Sequence, residues 1–347
     1  ENVGGRHVAY GDGIYRSDNG GTTWKNMGLK KSEHISEIIV HPDNSDVVWV
    51  AVQGPLWTSA GERGLYKTTN GGTSWKRVLG NDQWTGVTDI MIDPRNPQIL
   101  YAATWDRHRT VAALMGGGPG TALYRSDDGG ENWTKLTEGL PESNMGKIGI
   151  TISPQNPDVV YAAIELDRKS GAVYRSSNRG ASWTKMSDTV SGGTGPHYYQ
   201  ELYASPHEFD RLYLMNVRVL TSGDGGKTFV QLKERDKHSD NHAIVFKKDD
   251  PNYIMLGTDA GIYETFDNAE TWRYIKNLPL TQFYKVAVNN AEPFYHIFGG
   301  TQDNGSAGGP SATDEREGIA NKHWYKTLFA DGHQSATDPV YNDIIYA

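Results

Sequence analysis

A short polar turn ending in an aromatic residue returns again and again along this chain, and it constrains the fold more than any other feature. Ser17-Asp18-Asn19-Gly20-Gly21-Thr22-Thr23-Trp24 is the first copy; others occupy residues 68–75, 126–133, 176–183, 222–229 and 265–272. Their closing aromatics, Trp24, Trp75, Trp133, Trp183, Phe229 and Trp272, fall 43 to 58 residues apart. A period of this size marks supersecondary units that stack or ring, because none can bury its apolar face alone.

Each unit has the same grammar. In one of them, Ile90-Met91-Ile92, Gln98-Ile99-Leu100-Tyr101-Ala102-Ala103, Leu123-Tyr124-Arg125-Ser126 and Trp133-Thr134-Lys135-Leu136 form four β-branched and aromatic runs. Turn residues such as Asp93-Pro94-Arg95-Asn96-Pro97 bound them, which is a strand signature. We label the runs A to D. The A–B hairpin recurs at 38–52, 90–104, 150–164, 202–216, 244–258, 286–300 and 335–347, and the C–D hairpin recurs equally often if a divergent copy at 304–328 is counted. The chain opens on a C–D hairpin and closes on an A–B hairpin. The expected fold is therefore all-β: a seven-bladed β-propeller of four-stranded antiparallel blades, with the polar turns between strands C and D. Residues 1–347 form a single propeller or most of one. The first C–D hairpin (6–28) either closes the ring with the last A–B hairpin (333–347), or the chain is a segment of a longer array.

The turn residues read as structural. Asn19, Asn70, Asp128, Asn178, Asp224 and Asp267 precede the aromatics by five residues. Such side chains bond nearby backbone N–H groups, and Asn and Asp serve equally, which argues against acid–base work. Gly follows two residues later, where positive φ is tolerated; Ala269 replaces it in the last copy, so that turn is expected to be distorted. The aromatics (Trp24, Trp75, Trp133, Trp183, Phe229, Trp272) supply apolar surface to wedge against neighbouring sheets.

Composition narrows the function classes. Lys and Arg total 34 against 42 Asp and Glu, with no basic stripe, so nucleic acid is not an expected partner. No apolar run approaches a membrane span. The chain has no cysteine, which removes disulfides and thiol chemistry.

In an antiparallel blade the D-to-A and B-to-C connections crowd one rim, and function concentrates on loops held by rigid strands. That rim should carry Trp84, Trp105, Arg107, Glu165, His197, Tyr198, Tyr199, Arg218, Asn241, His242 and Gln302 as ligand-binding candidates. Four carboxylates, Asp240, Asp259, Asp303 and Asp331, are the catalytic candidates, with Asp240 or Asp259 paired with Asp303, since close carboxylates divide acid and base roles and glycoside hydrolysis needs such a pair. The bland reading is that these aspartates cap strand ends. His238, Asp240 and His242 have the period-two spacing of metal ligands on one strand face. No cofactor is expected, a divalent cation on the Asp cluster being the open alternative. Residues 106–121 read as a lid or contact arm without strand pattern, and 304–323 as a polar surface insertion where a neighbouring domain or subunit docks.

The turns resemble the Asp-box, or BNR, repeat, Ser-x-Asp-x-Gly-x-Thr-Trp, found in sialidases, xyloglucanase-type glycoside hydrolases, sortilin-type receptors and a photosystem assembly factor. With Asp240-Asn241-His242, Gly257-Thr258-Asp259-Ala260-Gly261 and Thr301-Gln302-Asp303-Asn304-Gly305-Ser306, the chain most resembles large bacterial secreted BNR or sortilin-N-terminal-like proteins. The resemblance implies an extracellular, cell-envelope or periplasmic location. No Arg-Ile-Pro motif of sialidases and no Cys-rich module of sortilin-type receptors is present. The first expectation is a binding or scaffold propeller presenting its rim to a protein or glycan, with further domains of a longer chain as other partners. The alternative is a xyloglucanase-like glycoside hydrolase with a paired-Asp mechanism; those enzymes cut in a cleft between two propellers.

Overall fold

β-Branched and aromatic runs interrupted by Pro, Gly and Asx turns have one low-energy outcome, the antiparallel ladder. The computed structural model describes residues 8–347 except 81–82, 168–169, 193–194, 196 and 279–280. Among the described residues there is no α-helix; one 3-10 turn spans Asn321–His323.

Six four-stranded antiparallel sheets follow one another along the chain, each in the order A-B-C-D. Sheet 1 is Ile35–His41, Asn44–Val52, Gly64–Thr68 and Lys76–Leu79. Sheet 2 is Thr85–Ile92, Leu100–Asp106, Leu123–Ser126 and Thr134–Leu136. Sheet 3 is Ile148–Ile152, Val160–Asp167, Ser170–Ser176 and Thr184–Ser187. Sheet 4 is Leu202–Ala204, Leu212–Leu214, Leu220–Ser222 and Val230–Gln231. Sheet 5 is Asn241–Lys247, Asp250–Thr258, Gly261–Thr265 and Arg273–Tyr274. Sheet 6 is Lys285–Val288, His296–Thr301, Gly305–Pro310 and Tyr325–Leu328. Two-stranded ladders pair Tyr15–Arg16 with Lys25–Asn26 and Ala336–Thr337 with Ile345–Tyr346.

The chain divides into two compact units, one running to Thr258 with Tyr263–Arg273, the other comprising Asp259–Ile262 with Tyr274–Ala347. In the first, strand A of each of sheets 1 to 3 packs beside strand A of the sheet that follows. The apolar faces close against each other in series. Trp49, Ala51 and Leu65 meet Val87, Ile90 and Leu100; Tyr101 and Leu123 meet Ile148, Ile150 and Val160; Tyr161 and Val173 meet Leu202 and Leu212. Strand A of sheet 3 is buried at every position, as a strand flanked by protein on both faces must be. In the second unit the hairpin after sheet 6 is tied back by Thr337 Oγ1 donating to Val288 O at 2.8 Å and Asn289 Nδ2 donating to Asn342 O at 3.1 Å.

The polar turns share one hydrogen-bond pattern. In the first, Gly21 N donates to Ser17 Oγ (2.8 Å), Ser17 Oγ to Asn19 Oδ1 (3.0 Å) and Thr23 N to Asn19 Oδ1 (2.9 Å). The sixth keeps it although Ala269 replaces Gly: Ala269 adopts φ 70°, its N–H donates to Thr265 Oγ1 at 3.1 Å, and Thr271 N reaches Asp267 Oδ1 at 2.9 Å. The expected distortion does not occur, because Thr265 and Asp267 supply the acceptors that hold the turn. Trp75 and Trp272 wedge outward from their turns, donating to Met27 O and Lys233 O, both at 2.8 Å. Trp24 instead is largely exposed and bonds its own turn at Gly21 O.

Residues 106–121 are not free of strand structure. His108–Arg109 pairs with Leu114–Met115, and Gly117–Gly118 pairs with Met145–Gly146. Residues 304–323 supply strand C of sheet 6 before looping out.

Candidate functional site

Rim residues arise where strands end, so their backbone geometry decides where their side chains go. In the second unit the described rim gathers Asp259, Gln302, Asp303, Asn304, Asp331 and His333. Asp303 takes the left-handed conformation (φ 58°), and its N–H donates to Asp331 Oδ1 at 3.0 Å. Asn304 Nδ2 donates to Asp259 O at 3.4 Å and to Gln302 O at 3.1 Å. Tyr284 donates its hydroxyl to Gln302 Oε1 at 2.6 Å, and its ring lies 5.4 Å from that of His333. Gln302, Asp259, Asp331 and His333 are exposed. Three of the four candidate aspartates, an amide and an aromatic ring thus share one solvent-facing loop cluster.

Asp240 stands in the first unit, on the connection between sheets 4 and 5. It too is left-handed (φ 62°). Tyr199 donates its hydroxyl to Asp240 Oδ1 at 2.7 Å, and the Ser239 hydroxyl bonds Oδ2. The Tyr199 ring stacks on His242 with centroids 5.3 Å apart, and His197 and Tyr198 continue the aromatic row at 4.5 Å. Asn241 is fully buried and clamps the loop by donating to Asn216 O and Val217 O. Lys237 pairs with Glu234, both buried; Arg218 is exposed. His238, Asp240 and His242 do not converge as period-two ligands: strand A of sheet 5 begins only at Asn241, and the positive φ of Asp240 breaks the alternation. Among the described residues no group of three His, Asp or Glu side chains could hold a metal ion.

The remaining rim candidates lie inside the framework. Trp105 is buried, donates Nε1 to Gly116 O at 2.9 Å, and carries the Arg107 guanidinium over its ring at 5.6 Å. Arg107 is 1% exposed and donates to Gln53 Oε1 at 2.9 Å and Gly54 O at 2.7 Å. Burial first, and the Arg63 guanidinium second, pull its pKa down to about 9. Trp84 packs on His108 at 4.4 Å, and buried Glu165 accepts from Lys147 N at 3.0 Å. These side chains fasten residues 106–121 and the neighbouring strands.

A second acidic group lies on the inner strands, outside the rim residues considered from sequence. Glu37 and Asp89 stand just after bulges in strands A of sheets 1 and 2, opposite Ala51 and Ala103. The Glu37 carboxylate accepts from Ile90 N at 3.0 Å, the amide directly after Asp89, so the two acids stand side by side. Burial raises both above the ordinary carboxylate range, Asp89 the more strongly because the Glu37 charge adds to it. The sequence signal was an acid within an apolar run, Val87-Thr88-Asp89-Ile90-Met91-Ile92.

No protein-family model matches the chain. A curated oligoxyloglucan-reducing end-specific xyloglucanase from Emericella nidulans is 23% identical over 222 residues, 59% of this chain and 26% of the relative. The chain thus spans about a quarter of the curated relative it matches. Among solved structures, the GH74 xyloglucanase from Xanthomonas campestris superposes with a TM-score of 0.50 at 12% identity, covering 91% of this chain and 55% of that one. The GH74 enzyme of Niastella koreensis gives 0.48 at 16%, covering 97% and 56%, and YCF48 of Cyanidioschyzon merolae 0.44 at 13%, covering 91% and 93%. At 12% identity the likeness to the Xanthomonas enzyme concerns the fold alone. It agrees with the succession of four-stranded antiparallel sheets in a fold of β-propeller type. No helix among the described residues is long and apolar enough to cross a membrane.

Proposed function

We propose that the chain is a propeller module of a glycoside hydrolase acting on a xyloglucan-like polysaccharide, and that Asp303 and Asp331 are its reacting carboxylates. The observation that carries this reading is the Asp303 main-chain N–H donating to the Asp331 carboxylate, which puts both residues in one loop cluster with Gln302 and Tyr284. Hydrolysis of a glycosidic bond needs one carboxyl group to protonate the leaving oxygen and another to attack or to activate water. Asp331 is oriented by the Asp303 amide, while the Tyr284 ring offers a face for a sugar. The 222-residue similarity to a xyloglucanase supports this chemistry over the binding-scaffold reading. The same proposal takes the six turns as Asp-boxes, the blade count as seven, and the protein as extracellular or of the cell envelope. An experimental structure with another blade count overturns that part.

The test is incubation of the purified chain with xyloglucan and a panel of other polysaccharides, reading reducing ends released and retention on each polymer. Asp303→Asn and Asp331→Asn should each lower release by about a hundredfold or more. Retention without release returns the chain to a glycan-binding scaffold. Release unchanged in both variants removes these aspartates from the mechanism.

A further inference from the structure

The inner strands of the first unit are joined by side chains that reach forward from one sheet to the next. Ile90 N donates to Glu37 Oε2 at 3.0 Å, Ile150 N to Asp89 Oδ2 at 2.8 Å, and Ala204 N to Thr151 Oγ1 at 3.1 Å. Ser36 Oγ adds a bond to Val87 O at 3.0 Å. At the first two junctions the acceptor is a carboxylate, and the amide that Glu37 holds is the one directly after Asp89, which sets the two acids side by side. Two ionised carboxylates set side by side under burial repel, and neither can donate; a proton on one of them turns the repulsion into a hydrogen bond.

We propose that Glu37 and Asp89 hold one proton between them, and that this proton is a pH-sensitive latch joining sheets 1, 2 and 3. With the proton in place, one carboxyl donates to the other, and each still accepts an amide of the following sheet. Without it, two negative charges confront each other where the strands must pack. The other groups facing the pair do not relieve it. Glu201 lies near Asp89 and adds negative charge. Tyr203 is kept neutral by burial and by Glu201, Asp89 and Glu37 together. Lys147, the basic group of this wall, is paired with Glu201. The residues opposite the pair across the ladders, Ala51 and Ala103, carry no charge.

The direction of the effect follows from linkage. Both carboxyl groups have folded pKa values raised above their unfolded ones, so their contribution is complete below the ordinary carboxylate range and is lost as pH rises through the raised values. The inference stands independently of the glycan reading, since the pair is remote from Asp303 and Asp331 in sequence and uses no substrate.

Asp89→Asn separates the alternatives. Its amide oxygen can still accept from Ile150 N and its amide nitrogen can donate to Glu37, so it reproduces the protonated state permanently. Glu37→Gln is the second variant. The full chain and both variants are melted between about pH 5 and about pH 9. The parent should lose Tm as pH rises, and at least one variant should lose less, the gap widening by about 2–4 °C or more across the range. Infrared spectroscopy near neutral pH should show a protonated carboxyl band that either variant removes. Melting curves parallel to the parent in both variants, variants less stable than the parent at the alkaline end, or no protonated carboxyl band in the parent would each overturn the proposal.

Discussion

Gly149 lies in strand A of sheet 3, and no left-handed conformation explains its presence there. The requirement is steric. A Cβ built on it would lie 1.9 Å from Gln200 O, 2.9 Å from Gln200 C and 3.1 Å from Leu202 N. Ordinary contact between such atoms needs about 3.5 Å. Gly149→Ala therefore forces the backbone at Gln200 to withdraw by more than about 1 Å, and no flexible side chain can yield in its place. That backbone enters the ladder in which Leu202 pairs with Leu214, so withdrawal loosens the packing of sheet 3 on sheet 4. Overpacking costs about 1–3 kcal/mol, and a backbone obstacle places this case at the upper end. At roughly 2 °C per kcal/mol for a chain of this size, Tm should fall by about 6 °C. Differential scanning calorimetry reads the shift. Gly192→Ala is the control, because nothing lies within 4 Å of its Cβ position. If Gly149→Ala melts with the parent, sheets 3 and 4 do not approach as described, and the serial packing argument fails with them.

The other predictions concern the turns. Ser222→Ala removes the acceptor of Asp224 N at 3.3 Å and of the buried Gly226 N at 2.9 Å, and should cost about 1–3 kcal/mol by chemical denaturation; Asp224→Asn should be near neutral, since Asn178 holds the equivalent place in its turn. Thr228 and Thr271 hydrogen bonds hold Asp224 and Asp267 at about 2. Their pKa values are depressed on folding, so their contribution is present above the ordinary Asp value and lost as pH falls towards 2. NMR titration of the Asp224 and Asp267 carboxyl carbons checks it, and midpoints near 4 would refute it.

Much of the fold was legible because its determinants are local. The Ser/Thr-x-Asn/Asp turn is closed by bonds spanning four residues, and the A–B hairpins carry their Pro and Asn corners with them. The loop positions of Asp303 and Asp331 follow from the strand ends that precede them, but the sequence paired Asp303 with Asp240 or Asp259; the bond to Asp331 depends on the left-handed backbone at Asp303. Burial of Trp105 and Arg107 was not legible, because it depends on residues 106–121 folding into two short ladders, one with a strand pair some thirty residues away. Period-two spacing misled at His238-x-Asp240-x-His242, where a single left-handed residue precedes the strand. The Glu37–Asp89 contact joins residues 52 positions apart on different sheets. A bulge before each acid aims the side chain, and nothing in either run alone announces the other.

The forward-reaching bonds of Glu37, Asp89 and Thr151 have an evolutionary consequence. Each of these three junctions pairs an acceptor upstream with a main-chain donor downstream, and every residue but proline carries that donor. A duplicated module arrives with both halves of the coupling, and excising a module rejoins the halves left behind. Drift at the acceptor is tolerated as long as an oxygen remains, as carboxylate and hydroxyl already show. Arrays built this way can change their number of modules without inventing a new joint.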